Sequence, residues 1–211
     1  MIFLKYALLG DLHSNFEDTK AVLHHIQQVA PEACLLGLGD LYECLIGKKK
    51  ANTVAKLPLN EAAVISEDFK ELLTFPSIRG NQEERITQVT GLNIFSKLPE
   101  KIEIEGATLI HGHQILWDKH WEPTELTIDI ETPLLFFGHS HRSGIYRKKK
   151  KLPLEIVYGQ ELQLIKKKCW INVGSVVDHR EWCLYDSVAR TITFMKAESK
   201  SNHFQTILLI K

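Results

Sequence analysis

From Ile2 to Leu9 the chain is almost continuously apolar, as expected of a strand covered on both faces. The run stops at Gly10-Asp11-Leu12-His13-Ser14-Asn15, where Ser14 and Glu17 have the spacing of a helix capping box. Val22, Leu23, Ile26 and Val29 then recur at helical period, and Pro31 ends the helix. Ala33 to Leu38 is a second apolar run, and it too stops at a Gly-Asp pair, Gly39-Asp40. The pattern predicts a βαβ unit with polar residues at the carboxyl ends of its strands.

Residues 41–60 show no clear period and are predicted as a loop, whereas Glu61 to Leu73 has a helical pattern. Phe75 to Arg79 reads as a short strand ending in Gly80-Asn81, with helix-compatible residues after it. Beyond Lys101 the character changes to strands. Lys101–Glu105 and Ala107–His111 are joined by a turn at Gly106, and Leu134–Phe137 ends at Gly138-His139-Ser140-His141. Ile145–Arg147, Glu155–Tyr158, Glu161–Ile165, Cys169–Val173, Trp182–Tyr185 and Thr191–Lys196 predict a further, mostly antiparallel set. The fold class expected is α/β: two facing mixed β-sheets in a sandwich flanked by helices, within one domain spanning residues 1–211.

Composition narrows the function classes. The chain has 26 Lys+Arg against 26 Asp+Glu, so its net charge offers no long-range pull toward nucleic acid or anionic membrane. The lysine runs Lys48–Lys50, Lys148–Lys151 and Lys166–Lys168 read as solvated loop or edge-strand residues, with a phosphate-facing rim as the minority alternative. Cys34, Cys44, Cys169 and Cys183 lack close-paired spacing and read as free thiols of a reducing compartment. No apolar run approaches the roughly 20 residues of a membrane span, so a cytoplasmic protein is the expectation. An exposed edge among the late strands would allow a homo-oligomer.

Five polar clusters fall at strand ends: Asp11-Leu12-His13, Gly39-Asp40, Gly80-Asn81, His111-Gly112-His113 and Gly138-His139-Ser140-His141. Loops beyond the carboxyl ends of strands converge on a shared crevice. Carboxylate, imidazole and amide oxygen together suit two divalent ions, with manganese first and iron, zinc or nickel as alternatives, better than they suit calcium. Each fragment alone is commonplace; the full set at strand ends points to a metal site.

This ordered series resembles the calcineurin-like metallophosphoesterase superfamily in its small bacterial and archaeal phosphodiesterase branch. The resemblance covers residues 9 to about 142, and Asn172-Val173-Gly174-Ser175 is similar to the branch's Asn-Pro-Gly-Ser turn, with Val173 in place of proline. It implies one metal on Asp11, His13, Asp40 and His141, a second on Asp40, Asn81, His111 and His139, and Asp40 as the bridge. Two such cations, about 3.5–4 Å apart, would share a hydroxide that attacks a small phosphate-ester substrate in line. Many relatives carry histidine where this chain has Gln82, and glutamine cannot deliver a proton. That favours diesters with good leaving groups, and it leaves His113 as a candidate acid with a purely structural role equally open. Arg79 and Arg142 flank the clusters, with salt bridges the expected role of each. His24, His25, His120, His179 and His203 read as structural or exposed. The alternatives are a phosphomonoesterase, a protein phosphatase or a dinucleoside-polyphosphate hydrolase on the same ligands, and a non-catalytic scaffold of the same fold.

Overall fold

The computed structural model describes residues 5–164 and 167–198, so Ile165, Lys166 and His203 lie outside the described residues. The chain opens with β1 (Lys5–Leu9), α1 (Phe16–Val29) and β2 (Cys34–Gly37), the expected βαβ unit with β1 and β2 parallel. The cap of α1 is Asn15 rather than Ser14, because Asn15 Oδ1 accepts the Asp18 N–H at 3.0 Å. Ser14 turns away instead, donating to the Val64 carbonyl and accepting from the Glu43 N–H.

Residues 41–60 hold more structure than a loop: β3 (Glu43–Cys44), α2 (Lys48–Ala51) and the start of α3 (Leu59–Ala62). The helix expected over Glu61–Leu73 is broken by β4 (Ala63–Val64), which pairs with β3. Val64 and Ile65 are β-branched, which lowers the cost of leaving a helix there. Then α4 (Glu67–Leu72) restarts on Ser66, whose Oγ accepts the Phe69 N–H. The strand expected at Phe75–Arg79 reduces to a single bridge between Gly37 and Ser77, since Pro76 has no N–H for a ladder.

After α5 (Asn81–Thr90) come β5 (Lys101–Ile104), β6 (Ala107–Ile110), β7 (Ile115–Trp117), β8 (Pro123–Leu126) and β9 (Leu134–Phe137). The chain continues through β10 (Gly144–Arg147), β11 (Lys150–Lys151), β12 (Glu161–Gln163), β13 (Cys169–Asn172), α6 (Val176–His179), β14 (Glu181–Asp186) and β15 (Thr191–Lys196). Hydropathy gives no sign of the β7–β8 hairpin. Glu155–Tyr158, expected as a strand, is irregular: only Ile156 packs against the core, while Val157 and Tyr158 are exposed.

Two mixed sheets result, ordered β12–β15–β14–β1–β2 and β11–β10–β13–β9–β6–β5. Strand alternation explains why the apolar runs are continuous. Tyr6 and Leu8 face the core between the sheets together with Leu109, Leu134 and Phe136, whereas Ala7 and Leu9 pack with Val22 and Ile26 of α1 and Ile86 of α5. On the outer face of the second sheet, Leu135 and Phe137 are covered by Ile115 and Trp117 of the hairpin. Phe136 and Tyr185, ring centroids 5.0 Å apart, join the two sheets. Among the described residues no helix is long and apolar enough to cross a membrane, and the four cysteines are free thiols.

Phe136 has no exposed surface, so Phe136→Ala leaves a cavity between the sheets. Chemical denaturation should show a loss of about 3–5 kcal/mol, with a much smaller loss for Phe136→Leu.

Candidate metal centre

The loops after β1, β2, β6, β9 and β13 meet at one edge of the sandwich and are stitched by backbone hydrogen bonds. Asp11 N–H donates to Gly39 O at 3.1 Å, His13 N–H to Asp40 O at 3.0 Å, Gly138 N–H to His111 O at 2.9 Å and Val176 N–H to Gly10 O at 3.1 Å. Asn172, fully buried, donates from Nδ2 to Gly138 O and Ser140 Oγ while its Oδ1 accepts the Gly174 N–H. Two glycines allow the loops to approach this closely. A Cβ on Gly80 would lie 2.2 Å from Asp40 N and Oδ1, and one on Gly138 would lie 2.4 Å from Asp11 Oδ2.

The backbone at the site is strained. Asp11, His13, Asp40, His139 and His141 have φ of 55°, 48°, 49°, 67° and 56°, in the left-handed region that side chains rarely adopt. Such residues cost of order 1–3 kcal/mol each and persist only where the surroundings over-determine them.

The strain aims one atom of each side chain at a common centre. Asp11 Oδ2 accepts the His139 N–H at 2.9 Å and Asp40 Oδ1 accepts the Gln82 N–H at 2.8 Å, so each carboxylate keeps its other oxygen for the interior. The outer nitrogens of three imidazoles are likewise engaged: His13 Nδ1 with Glu43 at 2.5 Å, His141 Nδ1 with Asp178 at 2.5 Å and His111 Nδ1 with the Leu38 carbonyl at 2.8 Å. A proton on each Nδ1 leaves Nε2 with its lone pair inward, the tautomer a metal ligand requires. His139 instead presents Nδ1, 3.2 Å from His111 Nε2.

Two groups of potential ligand atoms form, Asp11–His13–His141 and Asp40–His111–His139. Asp40 Oδ2 lies between them, 3.2 Å from His111 Nε2 and 3.8 Å from His13 Nε2. Asn81 joins the second group, with Oδ1 3.0 Å from His111 Nε2. All seven expected ligand residues therefore converge.

The donors fit a cation. Asp11 Oδ1 and His13 Nε2 are buried without any hydrogen-bond partner, a costly state for polar atoms that a bound cation relieves. As oriented, Asn81 directs its oxygen at two imidazole nitrogens, whereas a rotated amide would donate its N–H groups to both; an oxygen facing lone pairs suits a shared positive ion. The buried carboxylates draw positive charge onto neighbouring imidazoles. Burial disfavours an imidazolium at His111, yet attraction to Asp40 and the hydrogen bond between them outweigh it and hold His111 well above its usual range. Asp40 is correspondingly held well below the carboxylate range, its own burial penalty overcome by His111. At His141, burial is outweighed by Asp11 and Asp178, which push it up to about 9. Burial, reinforced by the charge of His111, pushes His139 down to about 4.

Other candidates fall outside the centre. His113 Nε2 pairs with Glu84 at 3.3 Å, and the His113 ring stands 6.4 Å from that of His139. Gln82 is buried, its Oε1 accepting from Cys44 N–H and from Arg85, both at 3.2 Å. Arg79 bonds Glu100 at 2.8 Å, the expected salt bridge, and Arg142 reaches the His120 carbonyl. His25 Nδ1 accepts the Trp182 indole N–H.

Hydropathy and motif spacing miss Glu43, Asp178 and Glu83. Glu83 is fully buried and accepts the N–H groups of Asp40, Tyr42 and Gly80, binding two site loops together. Burial and the charge of Asp40 push its carboxyl up. The one sequence signal is position: Glu43 and Glu83 each lie three residues after a turn residue, Asp40 and Gly80.

The carboxylates behind the histidines should set metal affinity. Glu43→Gln or Asp178→Asn should each weaken divalent-metal binding, measured by calorimetry on chelator-stripped protein, by roughly 10–100-fold.

Residues 4–191 match the family model of the calcineurin-like phosphoesterase superfamily domain. No curated protein matches the chain. Among solved structures, a metallophosphoesterase from Sphaerobacter thermophilus is 18% identical, with 93% of this chain and 89% of that one covered and a TM-score of 0.60. A phosphoesterase from E. coli is 17% identical over 92% of this chain and 100% of that one, with a TM-score of 0.46. The family match spans most of the chain, and the chain belongs to the calcineurin-like phosphoesterase superfamily.

Proposed function

We propose that the whole chain works as one domain, a phosphodiesterase with two divalent ions, manganese first, on the seven residues above. The observation that carries this reading is Asp40 Oδ2, within 4 Å of a donor nitrogen in each group and so placed to serve both. Asp11, His13 and His141 would hold one ion; Asn81, His111 and His139 would hold the other, with Asp40 common to both. Bound there, such a pair supplies Lewis acidity toward a phosphoryl oxygen and a water nucleophile active near neutral pH.

The chain's own residues position and exclude. Glu43, Asp178 and the Leu38 carbonyl hold three imidazoles in one tautomer, which keeps the donor atoms from rotating away. Leu12 and Val176, both fully buried, anchor their loops in the core beside Leu9 and Val22. A cleft of about 700 Å³ opens from Asn81 and His139, the direction from which an ester can enter.

The preference for good leaving groups, such as those of aryl phosphodiesters, rests on Gln82. Its amide oxygen is committed to Cys44 N–H and Arg85, and an amide has no proton to give a departing alkoxide. General-acid assistance is worth about 10²–10⁴-fold. Aryl diesters, whose leaving groups need no proton, should therefore be cleaved faster than alkyl diesters by a factor in that range, measured as kcat/KM on matched esters. Equal rates would remove the argument.

Manganese-loaded protein should hydrolyse bis(p-nitrophenyl) phosphate, lose that activity to chelator, and regain it on adding metal back. Asp40→Asn should cost more than the roughly 100-fold typical of residues behind the ligands. Activity that persists in chelator, or in Asp40→Asn, would exclude the dinuclear reading.

A further inference from the structure

The cleft beside the metal centre is walled by side chains that the hydrolytic chemistry does not use. Asn81 and His139 form its inner end. The β7–β8 hairpin supplies Trp117 and Trp121 on one side, and α2 and α5 supply Lys48 and Arg85 on the other. Trp117 is fixed in place: its indole N–H donates to Gly112 O at 3.1 Å, and its ring packs 5.8 Å from that of Phe137.

Trp121 is different. It is 44% exposed and sits at φ 62°, an uncommon backbone for a bulky residue, so core packing does not account for it. Asp118 fixes the hairpin tip around it, Oδ1 accepting the N–H groups of His120 and Glu122 at 2.8 and 2.9 Å. The ring of Trp121 lies 6.0 Å from that of Trp117, and both lie 6.3 Å from the ring of His139. An aromatic wall thus runs straight out from a candidate ligand.

The charge along the cleft is positive. Lys48, Arg85 and Lys119 line it, and among the described residues none has a carboxylate within ion-pair distance. The two acids of the lining are already engaged, Glu84 by Arg79 and His113, and Asp118 by its own turn. Arg85 Nη1 bonds Gln82 beside Asn81, which sets a guanidinium at the edge of the metal centre. A volume of about 700 Å³ is in the range of small-molecule sites and larger than a bare phosphate needs.

We propose that this cleft is a ring subsite: Trp121, backed by Trp117, stacks on the nucleobase of a nucleotide-type phosphoester while Arg85 holds oxygens on its phosphate side. The assignment rests on the phosphoesterase reading and deepens it, naming nucleoside phosphodiesters as the substrate class. Hydrolysis by water then yields a nucleoside monophosphate and an alcohol, one P–O bond formed and one broken. Aromatic stacking tolerates any base, since every base has a π-face, so selectivity among bases is expected to be weak.

The test is binding of product-like probes to the manganese-loaded protein, followed by calorimetry and by quenching of tryptophan fluorescence. Adenosine 5′-monophosphate should bind about 5- to 100-fold more tightly than ribose 5-phosphate, the stacking contribution per base expressed as a ratio of Kd. Trp121→Ala should abolish that gap and Trp121→Phe should keep most of it; Trp121 is exposed enough for both variants to fold, which circular dichroism checks. Equal affinities in the parent protein, or an undiminished gap in Trp121→Ala, would overturn the subsite. Hydrolysis of bis(p-nitrophenyl) phosphate in the same preparations reads the chemistry separately. An active enzyme with no preference for the base sinks the subsite alone, and a Trp121-dependent preference without turnover sinks the hydrolase alone.

Discussion

Asp11 and Asp40 are buried carboxylates with divided duties, and the site depends on that division. One oxygen of each is held by a backbone N–H distant in sequence, of His139 and of Gln82 at the start of α5 respectively. The other oxygen is thereby forced toward the interior. A buried carboxylate is expensive unless paired, so the arrangement is stable only while positive charge faces it, whether imidazolium or metal ion. The Asp11 contact also crosses the sandwich, tying a loop of the first sheet to a loop of the second. The bond that orients a donor atom is thus one that holds the two halves of the site together.

The strained loops persist because the sandwich beneath them is rigid. The core between the sheets brings together residues of β1, β2, β6, β9 and β13, the strands from which the loops depart. Close packing transmits little give, so five left-handed residues stay where regular backbone would have placed them otherwise. Asn172 and Glu83 act as buried brackets in the same scheme, each satisfying several groups of the site loops from its own side chain.

Much of this was legible from residue order. Strands buried on both faces must be apolar throughout, so Tyr6–Leu9 and Leu134–Phe137 announce themselves, and Asp, Asn and His at their ends are conspicuous. What stays hidden depends on distance in space. Glu43 and Asp178 look like surface acids until folding brings them to His13 and His141, 30 and 37 residues away along the chain. Arg79 and Arg85 are alike in sequence, and only geometry pairs the first with Glu100 and leaves the second at the cleft. The break at Ala63–Val64 is hidden for a similar reason: the β-branched Val64 and Ile65 only permit it, and pairing with the distant Glu43–Cys44 completes it.

The β7–β8 hairpin sits on the outer face of the second sheet, anchored by Ile115, Trp117 and Leu126 against Leu135, Phe137 and Tyr146. It contributes nothing to the layer between the sheets. Its tip can consequently be lengthened, shortened or recoloured with different side chains while the donors of the centre keep their places. Side chains at that tip can therefore vary without disturbing the layer between the sheets from which the strands of the centre depart.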